Sequence, residues 1–245
     1  MDGVTVYVVL VIFIATLVRS VFGFGEALVA VPLLALRLPV KTAAPLAVLV
    51  SVIVALIVLL QDWHHVEFRS AGWLLVSTVA GIPIGVLLLA RGNHRMLTAG
   101  LGIIILAFGL HALTRRQVHE LRGDNMPWLL GCGFCAGVLG GAFGMNGPPL
   151  AIYGAMRRWS AQRFRATLQS YFLPASALGM AGFLVAGLWN HDVTRYFLLS
   201  LPSAVLAILL GGLLNRRLRA DVFVRYVYVG LMLIGAALVA QAIRG

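Results

Sequence analysis

Two residues of opposite charge, Arg19 and Glu26, stand seven positions apart inside one long apolar run, and they are the arginine and the acidic residue set deep in such a run. A charge at that depth is costly enough to face a cavity or a partner. The planar fork of a guanidinium suits an oxyanion, and a carboxylate in the same setting is a proton carrier. These chemistries make Arg19 an anion clamp and Glu26 the coupling group. Two plainer readings compete: a structural ion pair, or an Arg19 that snorkels to an interface. Function is favoured for each residue singly, structure for their direct pairing.

The second group is Gly140-Gly141-Ala142-Phe143-Gly144-Met145-Asn146-Gly147-Pro148-Pro149. Prolines without an N–H and several glycines break a helix there, so backbone groups are exposed beside the Asn146 amide. A helix restarting after the break offers free N–H groups and the positive end of its dipole, a nest for an oxyanion. Close helix packing through small residues is the alternative. Gly23 and Gly25 break the first run in the same way. Arg165, Gln169, Ser170 and Tyr171 follow the second break, and at helical spacing Arg165 and Gln169 share a face leading toward Asn146. Thr42, Pro45 and Ser51 hold related positions in the first half, where the hydroxyls serve the local backbone.

Other reactive residues carry less. Cys132 and Cys135 have redox spacing but no basic neighbour to stabilise a thiolate, so two packed thiols are expected and a redox or assembly role is the alternative. His64, His65 and Glu67, and the matching His191 and Asp192, sit beside Trp63 and Trp189, which read as interfacial belts. Solvated histidines are the default there. No metal site or cofactor is expected, and no nucleotide-binding or protease motif is present.

The elements that position these groups follow from composition. The 245 residues are 61% hydrophobic and 11% charged, with mean hydropathy +0.97, which excludes a water-coated globule. The net charge of +11 comes from residues between apolar runs, so it reflects topology rather than nucleic acid. Met1-Asp2-Gly3 lacks the basic start of a secretory signal, so the first run is expected to stay in the mature protein. Apolar runs cover 4–36, 43–60, 71–90, 96–113, 127–156, 166–188, 196–214 and 223–243. Since about 20 apolar residues make one crossing, the first and fifth are too long and read as broken. The expected fold is an all-α integral membrane protein of about eight transmembrane elements in two homologous four-element halves, 1–118 and 122–245.

An internal repeat supports the halves. Gly23 falls on Gly144 at an offset of 121, Trp63 and His65 on Trp189 and His191 at 126, and Gly102 on Gly230 at 128. Paired broken segments point to a transporter's binding site. If each run crosses once, the loops 37–42, 91–95, 157–165 and 215–225 share a side and carry twelve of the 19 basic residues, the opposite side six, and Arg19 neither. The richer side is then cytoplasmic, both termini lie outside and the halves run parallel, a relation that changes if a broken run is a re-entrant hairpin.

Gly23-Phe24-Gly25-Glu26 with Val31-Pro32-Leu33-Leu34, Leu38-Pro39-Val40-Lys41-Thr42-Ala43, and the run from Gly140 to Leu150 resemble the TauE/SafE sulfite-exporter family over nearly the whole chain. Glu26 and Asn146 depart from its commonest Gly-Gly-Gly form. The resemblance implies a transporter of sulfite or small organosulfonates such as sulfoacetate, not an enzyme, in a bacterial inner membrane. Alternating access is expected, with a proton or another ion as co-substrate, and another small organic anion is the alternative cargo. The expected substrate-binding set is Arg19, Gly23, Gly25, Gly144, Asn146, Gly147, Pro148, Gln169 and Tyr171.

Overall fold

A computed structural model describes residues 2–62, 68–114, 121, 125–215 and 220–244. Among them the chain forms ten helices and no strand: α1 Gly3–Phe22, α2 Glu26–Ala35, α3 Val40–Asp62, α4 Phe68–Arg91, α5 His94–Thr114, α6 Met126–Phe143, α7 Gly147–Met156, α8 Ala161–Val185, α9 His191–Asn215 and α10 Ala220–Arg244. Seven are long and apolar enough to cross a membrane, whereas α2 and α7 have ten residues each. The protein is an all-helical multi-pass membrane protein. Arg115, Arg116 and Arg122, together with Trp63, His64, His65 and Glu67, lie outside the described residues.

The two breaks have a common backbone cause. Gly23 caps α1 at φ 83° and Gly144 caps α6 at φ 68°, a left-handed conformation that costs a side chain about 1–2 kcal/mol. Gly25, at φ 97°, starts α2.

After each break the chain turns back instead of crossing on. The Tyr7 hydroxyl donates to the Leu33 carbonyl at 2.5 Å, and the Arg37 guanidinium lies 4.7 Å over the Tyr7 ring, so the end of α2 returns to the start of α1. Likewise the Leu121 amide donates to the Met156 carbonyl at 2.9 Å, which brings the end of α7 back to the approach to α6. Each broken run is therefore a helical hairpin.

The turn-backs overturn the expected grouping of loops. Arg95 at the start of α5 donates to the Ile243 carbonyl at the end of α10, and Gly102 packs on Gly235, so α5 and α10 run antiparallel. Thr78 meets Tyr171 and Val86 meets Gly182, so α4 and α8 run parallel. One crossing per run requires the opposite in both cases. Residues 37–42 and 91–95 therefore lie at the end of the bundle that holds both termini, away from 157–160.

Packing couples distant parts of the chain. Gly81 and Gly85 of α4 lie against Gly137 and Gly141 of α6 so closely that a Cβ on Gly81 would come within 2.8 Å of the Val138 nitrogen. That is the small-residue packing by which membrane helices associate without a hydrophobic drive. In the same manner α9 lies on α1, where Gly211 meets Leu17 and Ser20. Besides these, α4 packs on α8 and α9 on α3, while α3 pairs with α8 and α5 with α10. The main core is built from α1, α2, α3 and the buried faces around them.

Candidate functional site

The tips of the two hairpins meet in the interior. A Cβ on Gly147 would lie 3.5 Å from the Phe24 ring, and one on Gly144 would lie 4.0 Å from Ala27. Behind this junction is a buried polar network. Arg19, only 2% exposed, donates from Nη1 to Glu26 Oε2 and to Ser51 Oγ, both at 2.5 Å, and from Nη2 to Gln169 Oε1 at 2.7 Å. Thr16 donates to the other Glu26 oxygen at 3.2 Å, and Gln169 Nε2 donates to the Gly23 carbonyl at 2.7 Å. Ser51 Oγ lies 3.3 Å from Ser176 Oγ, and the Phe172 ring is 5.0 Å from the Arg19 Cζ.

Each partner has a role in placing the guanidinium. Gln169 spans the first break, with one end on the Gly23 carbonyl at the α1 terminus and the other on Arg19, so it orients the guanidinium. Phe172 covers the guanidinium face in cation–π fashion. A guanidinium has more donors than these three acceptors use, and Arg19 Nε, also buried, has no partner. Such an orphan is costly in an interior and marks a position where a ligand could be accepted.

Arg19, Glu26, Ser51 and Phe172 line a cavity together with Gly25, Gly144, Asn146, Gly147 and Pro148. Its volume is about 20 Å³, room for about one water molecule and too small for an oxyanion of several heavy atoms. The hairpin tip Phe24 packs edge-on against Phe164 near the start of α8, with ring centroids 5.7 Å apart.

The sequence-derived residues distribute unevenly. Arg19, Gly25, Glu26, Gly144, Asn146, Gly147 and Pro148 line the cavity. Gly23 and Gln169 hold Arg19 from behind. Tyr171 stands apart: its hydroxyl pairs with Thr78 at 2.7 Å and with the Asn146 side chain, and Thr78 donates on to the Gly133 carbonyl at 2.8 Å. It therefore tethers the second tip to α4. The direct Arg19–Glu26 ion pair, for which the sequence favoured a structural reading, is present. Thr16, Phe172 and Ser176 were not legible, because a hydroxyl or a phenylalanine in an apolar helix carries no signal of its own; Ser51 serves Arg19 instead of its local backbone. Cys132 is buried and Cys135 exposed, both as free thiols, while His191 is exposed and the Trp189 indole donates to Thr194 at 2.8 Å.

A family profile described as Sulfite exporter TauE/SafE matches residues 8–238. The chain belongs to the TauE/SafE sulfite exporter family. It is also similar, at 26% identity over 235 residues, to the probable sulfite/organosulfonate exporter TauE of Cupriavidus necator, covering 93% of this chain and 91% of that protein. No solved structure matches the chain. TauE/SafE proteins are membrane exporters, so this chain is a membrane transport protein and not an enzyme, and its cargo class is the small anion.

Proposed function

We propose that the protein is a secondary transporter of small sulfur-containing anions, sulfite or an organosulfonate such as sulfoacetate, working by alternating access in a bacterial inner membrane. One observation carries this reading: a fully buried arginine with an unpartnered Nε lines a cavity where two broken helices meet. Arg19 takes the anion through its planar fork. Glu26 is the internal counter-ion of the empty site, and a proton on Glu26 cancels its charge and leaves Arg19 free to neutralise the cargo. Anion and proton then move together, because the buried charge stays constant only when both are bound.

The test is uptake of sulfite and methanesulfonate into liposomes containing purified protein under an imposed pH gradient. Arg19→Lys keeps the charge but loses the fork, and is expected to weaken binding by about tenfold, with Arg19→Ala nearly abolishing it. Glu26→Gln is expected to spare binding and remove the dependence on the pH gradient. Unchanged transport in well-folded Arg19→Ala overturns the reading.

We also infer that the two halves, 1–118 and 122–245, are inverted relative to one another. Each contributes a hairpin and three long helices in the same order, and the contacts exchange in pairs: α4 on α6 with α9 on α1, α4 on α8 with α9 on α3. Ser51 and Ser176, 125 positions apart, touch across the α3 and α8 crossing, as equivalent residues on a two-fold axis do. With three crossings per half, the end holding the termini carries six basic residues and the opposite end twelve. The positive-inside rule then puts both termini outside and residues 61–70, 157–165 and 215–225 in the cytoplasm. Reporter fusions check this: the fusion at 61–70 is expected on the same side as that at 215–225, and 91–95 on the other.

A further inference from the structure

We propose that the oxyanion cradle of the site is the first turn of α2, the backbone amides of Glu26, Ala27 and Leu28, completed by Arg19 Nε. The other restarted helix, α7, does not supply it. This rests on the reading of Arg19 as the anion clamp. A helix start leaves its first N–H groups without carbonyl partners, directed along the axis toward the break, with the positive dipole end behind them. In α2 the first backbone bond is from the Val29 amide to the Gly25 carbonyl, and Gly25 supplies no side-chain cap. Gly25, Glu26, Ala27 and Leu28 all line the cavity. The independent pointer is the Arg19 side chain in the same cavity, 2% exposed, with Nε unpartnered.

The start of α7 is poorer by its covalent structure. At an offset of 121, Glu26, Ala27 and Leu28 correspond to Gly147, Pro148 and Pro149. Two of the three positions that would offer an N–H have none. The second tip presents the Asn146 side chain to the cavity, and the first presents backbone amides and a guanidinium. A pyramidal or tetrahedral anion with three oxygens on sulfur fits the first set: one oxygen toward Arg19 and the others toward the amides. Planar carboxylates, with two oxygens, satisfy fewer of these donors.

The variant that tests the cradle is Ala27→Pro, which copies into α2 what α7 carries at the corresponding position and deletes one N–H in a turn where proline is tolerated. A second variant replaces Ala27 by lactic acid, an ester that deletes the same N–H without a ring. Both are read by binding of sulfite and methanesulfonate to the purified full chain, alongside the melting temperature of the ligand-free protein. The expected result is about tenfold or greater loss of affinity for both anions in both variants, with melting within a few degrees of wild type. Pro149→Ala, which adds an N–H to α7, is expected to leave affinity within twofold. Wild-type affinity in the ester variant, or a tenfold gain in Pro149→Ala, overturns the cradle at α2. If Arg19→Ala also binds normally, the site reading itself fails; if Arg19→Ala loses binding while the ester does not, only the cradle fails.

Discussion

The two hairpins share a backbone plan and differ in chemistry. Each is a long helix, a glycine in the left-handed region and a ten-residue helix. The first carries Arg19 and Glu26, and the positions 121 residues later are Gly140 and Gly147. Gly140 has a steric reason: a Cβ there would stand 2.7 Å from the Asn146 amide carbon. Where the first tip holds a charged pair, the second holds space for a folded-back amide. A common break therefore does not imply common chemistry; charge is concentrated on one tip, and the other is neutral and tied to α4 through Tyr171 and Thr78.

Several substitutions can break or sharpen that contrast. The largest effect is expected at the charged tip. Arg19→Ala leaves Glu26 buried without its cation, a loss of about 3–5 kcal/mol, and the double variant Arg19→Ala with Glu26→Ala should regain melting temperature without regaining anion binding. Asn146→Ala at the neutral tip is expected to cost only about 1 kcal/mol; equal losses at the two tips would erase the distinction. The glycines come next. Gly144→Ala combines left-handed strain with a Cβ only 2.8 Å from Val48 Cγ2, whereas at Gly25 the nearest atom, on Val18, is 3.7 Å away. Thermal unfolding should therefore show Gly144→Ala worse than Gly25→Ala by about 1–3 kcal/mol. The smallest effect is expected for Cys132→Ser with Cys135→Ser on the shaft of the second hairpin. Both thiols lie away from the tip, so transport and yield should match wild type, and loss of transport at normal yield would promote the redox alternative.

Much of this was legible in the residues. Arg19 and Glu26 announce themselves as charges in apolar sequence, and glycines with prolines mark both breaks. Whether the chain crosses or turns back at each break stayed open, because hydropathy is blind to direction: thirty apolar residues interrupted by glycine read alike whether the chain continues or returns. That one ambiguity moved 37–42 and 91–95 to the other end of the bundle while leaving the ratio of basic residues between ends unchanged. Gln169 illustrates a subtler gap. Its spacing placed it near the site, but only the fold gives it both Arg19 and the Gly23 carbonyl as partners.

The glycine contact between α4 and α6 has a mechanical consequence. Backbones that touch without intervening side chains cannot slide or part without losing their packing, so the second hairpin is welded to a helix from the first part of the chain, and by the α1 and α9 contact the first hairpin is welded to a helix from the second. The tightest packing thus joins not the sequence halves but two exchanged composites, each made of one hairpin and one helix borrowed from the other half. A cut between α5 and α6 would leave both of these packed pairs intact, and the glycine contacts would then be what holds the two fragments together.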